Sequence, residues 1–388
     1  YYGAQAKKHF GEPIVLPGPT GERNTYTMRG KGVFIAISPW NFPLAIYTGQ
    51  ITAALAAGNA VLAKPAAPTT LVAYRAIRLL HEAGVPPDVL HFVPCSGRVI
   101  GECGVADPRV AGVVFTGSTG VAQTINQTLA HRDGPIATLI AETGGQNAMF
   151  VDSSALPEQV VHDAIFSAFN SAGQRCSALR VLCVQEEIEP RTLDLLKGYM
   201  EELTIGDPRL LSTDVGPCID DPSRQTLAAH VERMAKEQRI VHRCALPESA
   251  EAGTFFAPTL VEIDDINALT EEQFGPILHV VKFKSRHLDK MVEAVNGTGF
   301  GLTMGLHSRI DSRVAGVAAN SRAGNLYVNR NMIGAVVGVQ PFGGRGLSGT
   351  GPKAGGPHYV QRFGTEFTLS NNISAVGGNA SLLTCLLY

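Results

Sequence analysis

Between residues 33 and 150, short apolar runs rich in β-branched residues alternate with longer runs that read as helices. No other feature limits the possible folds as much. Residues 33–37 read as a buried strand, and 47–57 as a helix closed by Gly58-Asn59. Residues 60–63 form the next strand, and 69–83 a helix ended at Gly84. Strands at 91–93, 112–115 and 136–140 continue the pattern. Strands that are apolar throughout are covered on both faces. Strand, crossover helix and strand in succession predict a doubly wound, mostly parallel α/β sheet.

A second α/β region runs from about residue 146 to 345, with a strand at 180–184 and a charged helix at 223–238. Residues 340–358 read as a Gly/Pro-rich loop. The tail alternates over 363–369 and again over 373–376, which predicts a strand pair. It carries little core of its own, so it is expected to pack on something else. No internal repeat or low-complexity segment is visible.

Length and charge exclude several classes. The chain has 388 residues, 45% of them hydrophobic and 17% charged, and so can build large globular cores. A net charge of −2 without a long basic run argues against a nucleic-acid or membrane-surface binder. No apolar stretch approaches the roughly 20 residues of a spanning helix. The first residues are not a secretory signal. Seven scattered cysteines without a CxxC pair fit free thiols in a reducing, cytoplasmic compartment, with no zinc site or other metal.

Several short segments suggest chemistry. Cys176 follows a helix-like run (160–172) on a bend of small residues, with Gly173 and Ser177 leaving room beside the thiol. Upstream stands Glu142, beside Gly144-Gly145. A thiol nucleophile with a carboxylate base fits covalent chemistry on a carbonyl, although a buried structural cysteine is the alternative. Asn41 sits in a loop stiffened by Pro39 and Pro43, beside the chain's one tryptophan, Trp40. A fixed Asn amide suits an oxyanion, and a structural turn suits the same residues. The turn 116–120, with Gly117 and Ser118, leads from a strand into a helix at 121–129. It is either a phosphate site or an ordinary βα turn. Lys64 ends a strand, where ligands gather in parallel sheets, though a solvated lysine is the default. Glu272 and Phe274 precede a tight turn that is equally readable as structure.

In this order, the segments SPWNFP (38–43), AKP (63–65), FTGST (115–119), AETGGQN (141–147), GQRCSALR (173–180), EEQFGP (271–276) and QPFGG (340–344) resemble the aldehyde dehydrogenase superfamily. The resemblance implies Cys176 as nucleophile and Glu142 as general base. It implies an oxyanion hole made by the Asn41 amide and the Cys176 N–H. NAD, or NADP, would lie against Ile37, Pro39 and Trp40. Lys64 would hold the adenosine ribose, Gly117 and Ser118 the pyrophosphate, Glu272 the nicotinamide ribose and Phe274 the nicotinamide. Implied too are a cofactor domain at 1–144, with 12–30 contributing to a flap, and a catalytic domain at 145–345. A C-terminal loop and β oligomerisation flap would follow at 346–388.

Residues 329–344 and 351–359 narrow the likeness to the pyrroline-5-carboxylate dehydrogenase branch, and within it to the dehydrogenase part of bifunctional proline-utilization enzymes. The implied reaction is oxidation of L-glutamate γ-semialdehyde to L-glutamate through a cysteine thioester, the second step of proline catabolism. Ser177, Gly334 and Ala335 would grip the substrate's α-carboxylate. Another semialdehyde, or a non-catalytic assembly module of the same fold, is the alternative. The branch implies a homo-oligomer and a covalently linked proline dehydrogenase domain. Family members carry further sequence ahead of the position matching Tyr1, so a fragment is expected. Ala67 stands where NAD-preferring relatives often carry Glu, which predicts a weakened preference for NAD. Gly120 also replaces a common Glu, at a turn that suits glycine.

Overall fold

The computed structural model describes residues 1–372. The chain divides into two compact units. One comprises Tyr1–Ala141, Val336–Pro341 and the chain from Pro352; the other comprises Glu142–Ala335 and Phe342–Gly351.

The first unit carries a five-stranded sheet. Its order is Leu90–Phe92, Ala60–Lys64, Val33–Ile37, Val110–Thr116 and Thr138–Glu142. Val33–Ile37 pairs in parallel with both of its neighbours. The chain steps outward to one edge, then returns to the other side of the first strand. That reversal opens a crevice at the carboxyl ends of Val33–Ile37 and Val110–Thr116. The reason for the apolar strands is visible in the packing. Phe34 and Ala36 enter one core with Tyr47, Ile51 and Phe363. Ile35 and Ile37 enter a second with Ile100, Val113 and Phe115. Successive side chains point to opposite faces, and both faces are covered.

The same unit holds a three-stranded antiparallel sheet of Ile14–Leu16, Glu22–Gly30 and Gly364–Asn372. Its third strand is the first of the two strands expected in the tail. Residues 364–372 form one strand, in register with Glu22–Gly30 from Gly364↔Gly30 to Asn372↔Glu22. Residues 373–376 lie outside the described residues. Its partners answer the need for outside cover: Tyr26 Oη donates to Glu366 Oε1 at 2.6 Å. The Arg29 guanidinium lies 3.5 Å from the centre of the Phe367 ring.

The second unit is built on a seven-stranded sheet. The order is Arg239–Arg243, Thr259–Glu262, Ile277–Phe283, Val181–Gln185, Ala148–Val151, Thr303–His307 and Asn325–Val328. Only the first pair is antiparallel. Met149 and Leu182 pack into one core, and Phe150, Val181 and Cys183 into the other. The fold class read from the sequence is therefore the one observed. Among the described residues, no helix is long and apolar enough to cross a membrane. Nor does any cluster of His, Cys, Asp and Glu there suit a metal ion.

Candidate active site

Cys176 owes its position to an abrupt helix end. The helix is Pro157–Phe169, not 160–172 as expected. Ser171, Ala172 and Gly173 then adopt φ values of 56°, 54° and 67°. Two consecutive non-glycine residues in the left-handed region are uncommon and cost energy that packing must supply. Ala172 is buried and supplies part of that packing. At Gly173, a Cβ would overlap the Gly275 carbonyl oxygen, so no other residue fits. Buried Asn147 holds the far side of the bend. Its Nδ2 donates to the carbonyls of Cys176 (2.6 Å) and Ala178 (2.9 Å).

The Cys176 side chain is half-buried, and its thiol is pushed up to about 12. Burial is the largest cause, followed by the negative charges of Glu142 and Glu272. Arg180 and the Ser177 backbone N–H pull the other way. Glu142, at the end of strand Thr138–Glu142, bridges to Gly349. Next to it, the Thr143 N–H donates to the Ser348 carbonyl at 3.0 Å. The base candidate is thus braced by the Gly-rich 342–351 segment.

Glu272 reaches the same neighbourhood from the EEQFGP turn. Its side chain is 15% exposed and pairs with Arg180 Nη2 at 3.0 Å. Burial raises its carboxyl, against the lowering influence of Arg180 and of the Gly145 N–H. A Cβ on Gly144 would overlap the Glu272 carboxylate. The glycine pair of AETGGQN therefore makes room for a carboxylate from another motif and donates an N–H to it. Gln146 ties the two motifs again, its Nε2 donating to the Glu271 carbonyl at 3.1 Å. The Phe274 ring lies 5.2 Å from the Arg180 guanidinium. Ser177 is buried, and its carbonyl accepts from Thr303 Oγ1 at 3.4 Å. The Gly334 carbonyl accepts from Tyr327 Oη at 2.5 Å, and Ala335 is exposed.

The remaining candidates gather in the first unit, at the carboxyl ends of three adjacent strands. Ile37 is buried, and Pro39, Trp40 and Asn41 follow it half-buried. The Ser38 N–H donates to the Lys64 carbonyl at 3.2 Å. Ser38 Oγ donates to Gln50 Oε1 (2.6 Å), and Gln50 Nε2 donates to Thr116 Oγ1 (3.0 Å). One relay of hydrogen bonds thereby holds all three strand ends. Gly117 is half-buried; Ser118 caps the helix Thr119–His131, its Oγ accepting from the Val121 N–H at 3.4 Å. Lys64 is buried to 9% exposure. Burial lowers its ammonium, and nearby Cys95 opposes that.

Arg180, Asn147 and Tyr327 escaped the sequence reading. Arg180 had a visible signal, a cation opening an otherwise apolar strand. For the other two, nothing in the local pattern marked them.

The sequence profile of the aldehyde dehydrogenase family matches residues 1–367. The bifunctional protein PutA of Klebsiella aerogenes is 55% identical over 345 residues, covering 87% of this chain and 26% of that protein. This chain thus spans about a quarter of the length of that relative. A crystal structure of a bifunctional proline utilization A protein superposes with a TM-score of 0.94 at 57% identity, covering 97% of this chain and 38% of the other. The 1-pyrroline-5-carboxylate dehydrogenase from Thermus with bound NAD gives 0.89 at 33% identity, covering 96% of this chain and 72% of the other. Sequence profile, motif order and superposition agree: the chain belongs to the aldehyde dehydrogenase family.

Proposed function

We propose that this chain is the dehydrogenase part of a proline-catabolic enzyme. It oxidises L-glutamate γ-semialdehyde, the open form of 1-pyrroline-5-carboxylate, to L-glutamate with NAD⁺. The observation that carries this reading is the Cys176 thiol held beside Glu142, Glu272 and the Ser177 N–H. The relatives named for pyrroline-5-carboxylate dehydrogenase support the choice of aldehyde.

The residues fit a dinucleotide. Lys64 is a buried residue whose ammonium is lowered by burial, and among the described residues no carboxylate forms an ion pair with it. It ends a strand next to Val33–Ile37, at the carboxyl edge of the sheet where parallel sheets bind nucleotides, and the amino end of helix Thr119–His131 follows the strand on the other side of Val33–Ile37. Lys64 holds the adenosine ribose, Gly117 and Ser118 the pyrophosphate, and Ile37, Pro39 and Trp40 line the cleft. Glu272 takes the nicotinamide ribose and Phe274 packs on the ring. Bound NAD⁺ supplies the hydride acceptor.

In the mechanism, Glu142 takes the thiol proton and the Cys176 sulfur adds to the aldehyde carbon. The Cys176 N–H and the Asn41 amide, assigned through its motif, stabilise the oxyanion, a charge that develops only as the bond forms. Loss of hydride leaves a thioester on Cys176. Glu142 gives up the first proton to solvent and then accepts a proton from water, which attacks the thioester; glutamate departs as the Cys176 thiolate takes a proton back from Glu142. Ser177 with the Gly334-Ala335 loop binds the substrate's α-carboxylate. Exposed Ala67 provides neither a ribose acceptor nor a charge that repels a 2′-phosphate, so NADP⁺ is also used. The sheet of Ile14–Leu16, Glu22–Gly30 and Gly364–Asn372 serves as the oligomerisation flap. In the full-length protein a proline dehydrogenase domain is covalently linked, and the enzyme works in the cytoplasm.

Nicotinamide reduction with pyrroline-5-carboxylate, comparing the chain with Cys176→Ala, tests this. Turnover that Cys176→Ala abolishes is expected. Turnover that survives the substitution sinks the nucleophile assignment, and efficient use of unrelated aldehydes alone sinks the substrate assignment.

A further inference from the structure

Tyr327 lies on the edge strand Asn325–Val328 and is 5% exposed. Its hydroxyl donates to the Gly334 carbonyl at 2.5 Å. The chain just before that carbonyl is anchored: Met332 and Ile333 are buried, and the Met332 N–H donates to Ser167 Oγ at 3.1 Å. The chain just after it is open, with Ala335 exposed. In a trans peptide, the carbonyl of one residue and the N–H of the next point in opposite directions. Holding the Gly334 carbonyl on the phenol therefore fixes the direction of the Ala335 N–H. Among the described residues, no backbone or side-chain acceptor takes that N–H.

Two further features keep the phenol in this role. Burial raises its ionisation above the ordinary tyrosine value, so it stays a donor at neutral pH. The Arg330 guanidinium packs over the ring, 5.4 Å from its centre. A charge on Cys176 adds to the rise in the phenol's ionisation, which puts Tyr327 in the neighbourhood of Cys176.

The geometry points to Tyr327 as the positioning residue that sets selectivity for aldehydes bearing an α-carboxylate: by holding the Gly334 carbonyl, it presents the Ala335 amide to that anion. This rests on the proposed assignment of Ser177 and the Gly334-Ala335 loop to the carboxylate. Tyr327 itself need not touch the substrate. Without its hydroxyl the peptide plane is free to rotate, and the amide is no longer pre-aimed.

Tyr327→Phe keeps the ring and its packing and removes the hydroxyl, which donates to Gly334 and also bonds the Asn325 side chain. Steady-state kinetics on the full chain would compare glutamate γ-semialdehyde with butanal, which has no carboxylate. For Tyr327→Phe, the KM for the semialdehyde should rise about tenfold with kcat little changed, the size expected from one weakened hydrogen bond. The butanal parameters should stay within about twofold. Equal loss on both aldehydes, or no change on either, overturns the inference. Titration calorimetry gives a readout free of turnover. L-glutamate should bind Cys176→Ala about tenfold more tightly than Cys176→Ala/Tyr327→Phe, and equal binding overturns the inference. If the unmutated chain itself shows no preference for the carboxylated aldehyde, the substrate assignment fails and this inference falls with it. If the preference is present and Tyr327→Phe retains it, only the inference fails.

Discussion

Arg180 Nη2 stands 3.0 Å from Glu272 Oε1, with the arginine side chain 1% exposed. The same guanidinium donates to the carbonyls of Gly173 (2.7 Å) and Arg175 (2.9 Å). One buried cation thus joins the bend that carries Cys176, the proposed nucleophile, to the carboxylate proposed to hold the nicotinamide ribose. Desolvating a guanidinium is costly, and here a carboxylate and two carbonyls offset the cost. Both elements depend on it, so neither moves without the other.

Arg180→Met should therefore be among the most damaging single changes. It leaves Glu272 buried without its cation and frees two carbonyls. A loss of about 3–5 kcal/mol is expected in chemical denaturation. Glu272→Gln leaves the guanidinium an amide oxygen to donate to and should cost less stability, while raising the KM for NAD⁺ by about tenfold or more. A Glu272→Gln chain with unchanged cofactor KM would remove Glu272 from the cofactor site.

Gly144→Ala tests the room made for that carboxylate. The added methyl overlaps Glu272, which Arg180 prevents from swinging aside. Overpacking of this kind costs about 1–3 kcal/mol. Melting temperature and cofactor affinity should both fall. In a Glu272→Ala background, where the overlap is gone, adding Gly144→Ala should cost little further stability and leave the affinity low.

The reactivity of Cys176 follows from its raised ionisation. With the thiol pushed up to about 12, the thiolate is a minority species at every pH near neutrality. In the free protein at pH 8, iodoacetamide should label exposed Cys103 well before Cys176, as read by peptide mass spectrometry. Glu272→Gln removes one of the negative charges that raise the thiol, so labelling of Cys176 should then speed up. Preferential labelling of Cys176 in the unmutated protein would contradict this account of its surroundings.

A buried imidazole pair should govern acid stability. His230 Nε2 and His279 Nε2 are 2.9 Å apart, and His279 Nδ1 is 3.0 Å from the Arg180 carbonyl oxygen. A carbonyl only accepts, so His279 Nδ1 carries a proton; its Nε2 then accepts from His230 Nε2–H while both rings are neutral. Burial lowers His279 to about 3 and His230 to about 4. Both folded values lie below the unfolded one, so the contribution to stability is present above about pH 6.5. It is lost as pH falls and the unfolded chain takes up protons the native state refuses. Between about pH 6 and 4 the stability should drop by roughly 1.4 kcal/mol per pH unit for each histidine. Urea unfolding of the chain and of His230→Gln across that range would show the slope and its reduction; equal slopes would remove the pair as the cause.

How much of this was readable in advance varies with the range of the interaction. Strand-and-helix alternation placed the five-stranded sheet to within a residue or two, because covered parallel strands need apolar side chains at every position and turns need their glycines. The order of the motifs marked Cys176, Glu142, Lys64 and Ser118 as candidates for the same reason: each sits at a strand end or turn that the local pattern reveals.

Other features had no local signature. The helix before Cys176 ends at Phe169, because a left-handed turn is held open by nearby Arg180 together with Gly275, a residue far along the chain. Residues 364–372 run as one strand past the expected end at 369 because Glu22–Gly30 offered a free edge, and edge pairing is a property of the assembled sheet. Apolar periodicity and turn chemistry are written residue by residue, so the sequence alone determined the α/β class and the candidate motifs. The Arg180–Glu272 pair and the space over Gly144 arise between residues distant in sequence, and the hold of Tyr327 on Gly334, seven residues on, needs the intervening chain anchored at Ser167. Only tertiary packing decided them, because desolvation and steric exclusion take effect once those groups share one interior.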